Sequence, residues 1–181
     1  MNIWHDINPE AVKPESFSAV IEIPKGSRTK YELDKNTGLM RLDRILYTST
    51  HYPANYGFIP RTYADDLDPL DVLVICTEVI NPMTLVQCYP IGVIKMIDNG
   101  RLDEKIIAIP VFDPTYNSYR SIHDLPEHIF AEMSHFFTVY KQLENKETAV
   151  DAVGDRDEAV RIIADAIDSY NKNLYKIRPN R

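Results

Sequence analysis

Four carboxylates crowd into seven residues at Asp65-Asp66-Leu67-Asp68-Pro69-Leu70-Asp71, where a polar stretch runs into a strongly apolar one. Two carboxylates about 4 Å apart repel by roughly 4 kcal/mol at an effective dielectric of 20, a large share of the 5–15 kcal/mol that holds a domain together. If these side chains converge, the fold must supply counter-charge. A hard divalent cation such as Mg²⁺ is one source, because it prefers carboxylate oxygen and keeps several waters that a phosphate can share. An acidic surface loop whose side chains splay into water is the plain alternative. A calcium loop of the EF-hand type fails on spacing: counting from Asp66, Asp71 falls where glycine is required and Thr77 where glutamate is required.

A second acidic group lies at Asn99-Gly100, the dipeptide that most strongly signals a two-residue hairpin. Such a turn pairs Asp98 with Arg101 and Met96 with Asp103, and alternation then puts Asp98, Asp103 and Lys105 on one face. Two carboxylates beside a lysine suit a metal and an anion together, and equally suit solvated ion pairs. Fixed cations for an anionic ligand are available in Lys30, Arg44, Lys105 and Lys141. Lys30 and Glu32 share a strand face that Glu22 joins if the neighbouring strand pairs with it, and a salt-bridged outer face is the competing reading. Among 11 tyrosines, Tyr52, Tyr56 and Tyr140 are placed where a phenol can donate to an anionic oxygen.

The remaining pattern is that of a soluble domain, mainly β with flanking helices. Period-two alternation over 17–23 predicts a half-buried strand, which pairs as a hairpin with a second strand at 30–34; the turn signal 35–38 and a third strand at 39–46 follow. Residues 47–69 read as a long ordered loop, and 70–79 and 84–98 as central strands. Asp124 with Glu127 looks like a helix cap ahead of Ile129, Met133, Phe136, Phe137 and Tyr140 at helical spacing. A second helix is expected over 155–174, with Val160, Ile163, Ile167, Tyr170 and Leu174 on its stripe. The simplest architecture is one domain over residues 1–181, a sheet or small barrel with two main helices.

Composition narrows the function. With 20 basic and 27 acidic residues the formal charge is −7, which argues against a nucleic-acid partner. No run approaches the roughly 20 apolar residues of a membrane span, and MNIWHDINPE has no secretory pattern, so the expected location is cytoplasmic. Cys76 and Cys88 lie in apolar runs and are expected to be free thiols; no Cys/His zinc spacing and no HExxH pattern occurs.

Taken together, VIEIP (20–24), KYELDK (30–35), DRILYTSTHYPANYGFIP (43–60), DLDPLDVLV (66–74), IGVIKMID (91–98), DEK (103–105) and HFFTVYK (135–141) resemble the soluble family I inorganic pyrophosphatases of prokaryotic type. The resemblance implies a five-stranded barrel of oligonucleotide-binding (OB) type with flanking helices, and Mg²⁺-dependent hydrolysis of pyrophosphate with several ions per site. Carried over by motif, Asp66, Asp71, Asp98 and Asp103 look like metal ligands and Asp68 like the general base. Lys30, Arg44, Tyr56, Tyr140 and Lys141 look like the phosphate-binding set, with Glu22, Glu32, Tyr52 and Lys105 in support. One departure is Leu67, which stands where the family usually has glycine or a small polar residue, although the aspartate spacing is intact. Short family members are commonly hexamers, so a homohexamer is the expectation. The rival readings are a nucleotide hydrolase, a nucleic-acid-binding barrel and a calcium-binding structural protein.

Overall fold

The computed structural model describes residues 2–35, 37–98, 100–146 and 148–177. Among the described residues nine strands run in chain order: β1 (Val12–Lys13), β2 (Ser16–Ile23), β3 (Thr29–Leu33), β4 (Met40–Ile45), β5 (Asn55–Phe58), β6 (Asp71–Val74), β7 (Leu85–Asp98), β8 (Arg101–Pro110) and β9 (Thr148–Gly154). Two long helices, α1 (Glu127–Val139) and α2 (Arg156–Ile177), complete the chain. The sheet order is β1-β2-β5-β6-β8-β7-β9, and an added β2–β7 pairing closes the five inner strands into a ring. That ring of β2, β5, β6, β8 and β7 is the expected five-stranded OB-type barrel. Its β6–β8 pair is parallel and the others are antiparallel.

Alternate residues of the barrel strands enter two apolar clusters. Ile107 and Ile109 join the cluster that includes Met133, Phe136 and Phe137 of α1, whereas Ile106 and Ala108 join the one that includes Ala159, Ile163 and Ala166 of α2. Strands covered on both faces lose their polar alternation. Several sequence expectations fail for this reason. The 17–23 strand is not half-buried, because Val20 and Glu22 are buried along with Ile21 and Ile23. The expected loop 47–69 contains β5, whose four residues are all buried. Beyond the elements expected from the sequence, β9 pairs along β7.

Pairing is also reassigned. β3 does not form a hairpin with β2; it pairs with β4 across the 35–38 turn, in which Asn36 lies outside the described residues. β2 pairs instead with β5 and β7. The expected strand at 70–79 is regular only over Asp71–Val74. The Asp98–Arg101 hairpin has the anticipated register, with Asn99 itself outside the described residues.

The helices differ in detail from expectation. Asp124 does not cap α1. It closes a capping box with Ser121 around the short turn Ile122–Asp124, and Leu125 is extended ahead of Pro126, so α1 starts at Glu127. Of the expected stripe on α2, Ile163 and Tyr170 are buried and Ile167 packs partly buried against the same cluster, while Ala159 and Ala166 are buried beside them and Val160 is not.

One glycine is required by a close approach. A Cβ on Gly57 of β5 would lie 1.8 Å from the carbonyl oxygen of Val20 on β2, a backbone atom that cannot step aside. Gly57→Ala should therefore lower stability by about 2–4 kcal/mol, at the upper end of overpacking costs. Urea denaturation of the two proteins measures the difference.

Candidate active site

The acidic loop and the acidic hairpin meet. Asp66, Asp68 and Asp71 from the first and Asp98 and Asp103 from the second line one cavity of about 280 Å³. The barrel's own pairing brings them together, because Asp71 opens β6 directly beside Lys105 of β8, two residues beyond Asp103. Lys30, Glu32, Glu22, Tyr56, Tyr140 and Lys141 complete the sequence-predicted residues on its wall. In all, seven carboxylates face four lysines there.

Lys105 is the best-determined of these groups. It is 2% exposed, and its Nζ donates to Asp71 Oδ2 at 2.7 Å and to Asp103 Oδ1 at 2.8 Å. Burial alone would lower its pKa, but the charges of Asp71 and Asp103 outweigh that and hold the ammonium well above its ordinary value. Tyr56 donates its hydroxyl to Asp71, and burial raises that phenol's pKa further than any neighbour does. Lys141 donates to Asp98 Oδ2, while Asp98 Oδ1 is buried with no hydrogen-bond partner among the described residues. Lys30 pairs with Glu32 and with Asp43, the latter at 3.2 Å.

Three carboxyls of the cavity resist ionisation. Burial, reinforced by Asp71 and Asp103, pushes Asp66 up to about 6. Glu22 accepts the Leu33 N–H at 2.8 Å, yet its burial pushes it up to about 8. Asp103 is raised as well, first by burial and then by Asp71, against the pull of Lys105.

Arg44 and Tyr52 do not reach the cavity wall. Arg44 donates Nε to Glu144 Oε1 at 2.8 Å and pairs with Asp43, the carboxylate that also holds Lys30. Its Nη2 is buried without a partner among the described residues. Tyr52 is buried between Tyr56 and Phe136, with ring centroids 5.3 and 4.8 Å away, and acts by packing behind Tyr56. Leu67 adopts the left-handed backbone, φ 74, a conformation that glycine takes without penalty and leucine does not. Its side chain is largely exposed, so the bulk of leucine meets no obstacle.

Four residues were missed from the sequence. Lys35 pairs with Asp68, Trp4 lines the cavity beneath it, Asp43 bridges Lys30 and Arg44, and Arg101 borders an adjoining recess with Asp66, Asp98 and Asp103. The charge surplus of the acidic loop was a signal for Lys35, the next lysine after Lys30. Nothing in the local pattern marked Trp4.

The donor set suits a hard divalent ion. The carboxylates outnumber the ammonium groups, all are oxygen donors, and Asp98 Oδ1 is an orphan acceptor aimed at no protein group. Among the described residues no three such groups are drawn into a closed ligand cluster, and Lys105 separates Asp71 from Asp103. The described residues also contain no helix long and apolar enough to cross a membrane.

Residues 19–171 match the family described as inorganic pyrophosphatase. The chain is 47% identical over 170 residues to soluble inorganic pyrophosphatase 2 of Chlamydomonas reinhardtii, covering 94% of this chain and 88% of the relative. It is 48% identical over 167 residues to soluble inorganic pyrophosphatase 1 of Arabidopsis thaliana, covering 92% and 79%. Among solved structures, it superposes on the inorganic pyrophosphatase of Thermus thermophilus with TM-score 0.89 and 36% identity, over 94% of this chain and 99% of that one. For the inorganic pyrophosphatase of Helicobacter pylori the TM-score is 0.85 at 40% identity, over 88% and 95%.

The raised carboxyls set the pH dependence of the ion-free protein. A carboxyl that binds its proton more tightly when folded adds stability at low pH, and that stability is lost as pH rises from the unfolded value through the folded one. With Glu22 at about 8 and Asp66 at about 6, the urea midpoint in EDTA should fall between pH 5 and 8. Glu22→Gln should flatten the part between pH 6 and 8, which urea titrations at a series of pH values will show.

Proposed function

The chain belongs to the inorganic pyrophosphatase family, and from that membership we propose how its residues hydrolyse inorganic pyrophosphate to two orthophosphates. The observation that carries the assignment of roles is the surplus of carboxylates over lysines in one cavity. Asp66, Asp71, Asp98 and Asp103 would hold Mg²⁺, several ions per site, with Glu22 and Glu32 close by. When bound, Mg²⁺ neutralises phosphate charge and brings the pKa of an attacking water toward neutrality.

The protein's own groups do the rest. Asp68 is the general base: it borders the cavity on the acidic loop, and its side chain is about half exposed, open to solvent from which the nucleophile comes. Lys30, Lys141 and Tyr140 line the wall and offer donors to phosphate oxygens, and Tyr56 orients Asp71 through its hydroxyl. Arg44 joins the phosphate-binding set by family resemblance, while its guanidinium here is held off the cavity wall by Glu144 and Asp43. Lys105 bridges Asp71 and Asp103, and Tyr52 supports Tyr56. Water attacks phosphorus directly and no covalent enzyme intermediate forms. The two thiols suit that reading, since burial raises the pKa of both Cys76 and Cys88. A single domain, cytoplasmic location and homohexameric assembly complete the proposal on family resemblance.

Phosphate release from pyrophosphate in Mg²⁺, its loss in EDTA, and much slower release from ATP are the expected results. Asp68→Asn should lower kcat by about 10²–10⁴-fold while sparing metal affinity, the range typical of general-base removal. Asp71→Asn should instead raise the Mg²⁺ concentration needed for half-maximal rate. Near-normal turnover in the first variant, or an unchanged Mg²⁺ titration in the second, would remove the assigned role.

A further inference from the structure

Lys35 is the fourth lysine on the cavity wall, and its placement is built from the N-terminal segment. Asn2 Nδ2 donates to the Lys35 carbonyl at 3.1 Å. The Lys35 ammonium lies 5.2 Å from the centroid of the Trp4 ring and pairs with Asp68. Trp4 is itself immobilised: it is 4% exposed, its Nε1 donates to the Thr62 carbonyl at 2.9 Å, and its carbonyl accepts the Arg61 N–H at 2.9 Å. The Thr62 hydroxyl in turn accepts the Leu70 N–H at 2.8 Å, within the acidic stretch. One indole thus braces Lys35 on one side and the segment that carries Asp66 and Asp68 on the other.

A cation held over an aromatic face is attracted by the ring and, already ordered, loses little freedom when it turns to an anion. While Lys35 is paired with Asp68, that carboxylate is not free to accept a proton from water. The ammonium has to leave it, and phosphate oxygens arriving in the same cavity give it a stronger partner than a single half-exposed carboxylate does. We propose that Lys35, held over Trp4, is a further phosphate-binding cation of the pyrophosphate site, and that its transfer from Asp68 to a phosphate oxygen frees the base. The inference rests on the pyrophosphatase mechanism above. Trp4 is a positioning residue within it, and the N-terminal segment becomes part of the active-site wall.

The chain contains a single tryptophan, so its fluorescence reports on this contact directly. Titration of the intact protein in Mg²⁺ with methylenediphosphonate, whose bridging carbon prevents hydrolysis, should give a saturable change in Trp4 emission. Lys35→Gln should raise both the analogue Kd and the KM for pyrophosphate about tenfold, the value of one charge-assisted hydrogen bond, with a smaller change in kcat. Lys35→Arg should recover most of the affinity. Trp4→Phe, which keeps an aromatic face, should raise KM less than Lys35→Gln does. A folded Lys35→Gln protein, judged by an unchanged urea midpoint, whose Kd and KM stay within about twofold of wild type overturns the proposal. So does a folded Lys35→Gln protein with weakened binding that Lys35→Arg fails to restore. Absence of pyrophosphate hydrolysis by the wild-type protein overturns the mechanism itself, whereas normal wild-type hydrolysis with a silent Lys35→Gln variant overturns only this inference.

Discussion

A buried ammonium organises the site. Lys105 sits on β8 beside the first residue of β6, and its two ion pairs tie the acidic loop to the acidic hairpin across the only parallel strand pair of the barrel. Removing a charge from water costs several kcal/mol unless its partners are close and well oriented, so the position of Lys105 dictates that Asp71 and Asp103 stay. The rings of Phe137 and Tyr56, with centroids 5.2 and 5.5 Å from Nζ, close the space around it and carry α1 into the same arrangement. The aspartates are therefore held in place before any ion or substrate arrives.

That pre-placement has an energetic cost that the rest of the chain absorbs. Seven carboxylates share the cavity with four lysines, and burial, with the charge of Asp71 added to it, makes Glu22 and Asp66 keep their protons longer than ordinary carboxyls. The left-handed backbone at Leu67 adds about 1 kcal/mol of strain in the same loop. The Asp66 side chain, by accepting the Asp68 N–H at 3.1 Å, holds the turn in that shape. Barrel strands covered on both faces and two packed helices supply the stability against which these costs are set.

Much of this was legible in the sequence where chemistry is dense. The spacing of Asp66, Asp68 and Asp71 and the hairpin register of Asp98 and Asp103 pointed to one acidic centre, and the structure joins them. Strand pairing was less legible, because alternation reports one exposed face and β2 and β5 have none. β3 pairs with β4 rather than β2 for a reason no local pattern contains, since β2 is already hydrogen-bonded on both sides by β5 and β7. Trp4 was invisible for a similar reason. Its importance lies in Thr62 and Lys35, more than thirty residues away in each case. α2 showed its helical period plainly, but an apolar pattern weighted to large side chains passed over Ala159 and Ala166, which are buried beside Ile163 and Tyr170.

The closed ring has a consequence for how the chain comes to life. Glu22 lies on β2 near the start of the barrel, and Lys141, which grips Asp98, lies beyond the end of α1. Contacts that span so much sequence form late and slowly. A growing polypeptide on the ribosome therefore cannot carry a half-working centre: the cavity is assembled only after residue 141 has left the exit tunnel, when Lys141 can reach Asp98 and close the wall.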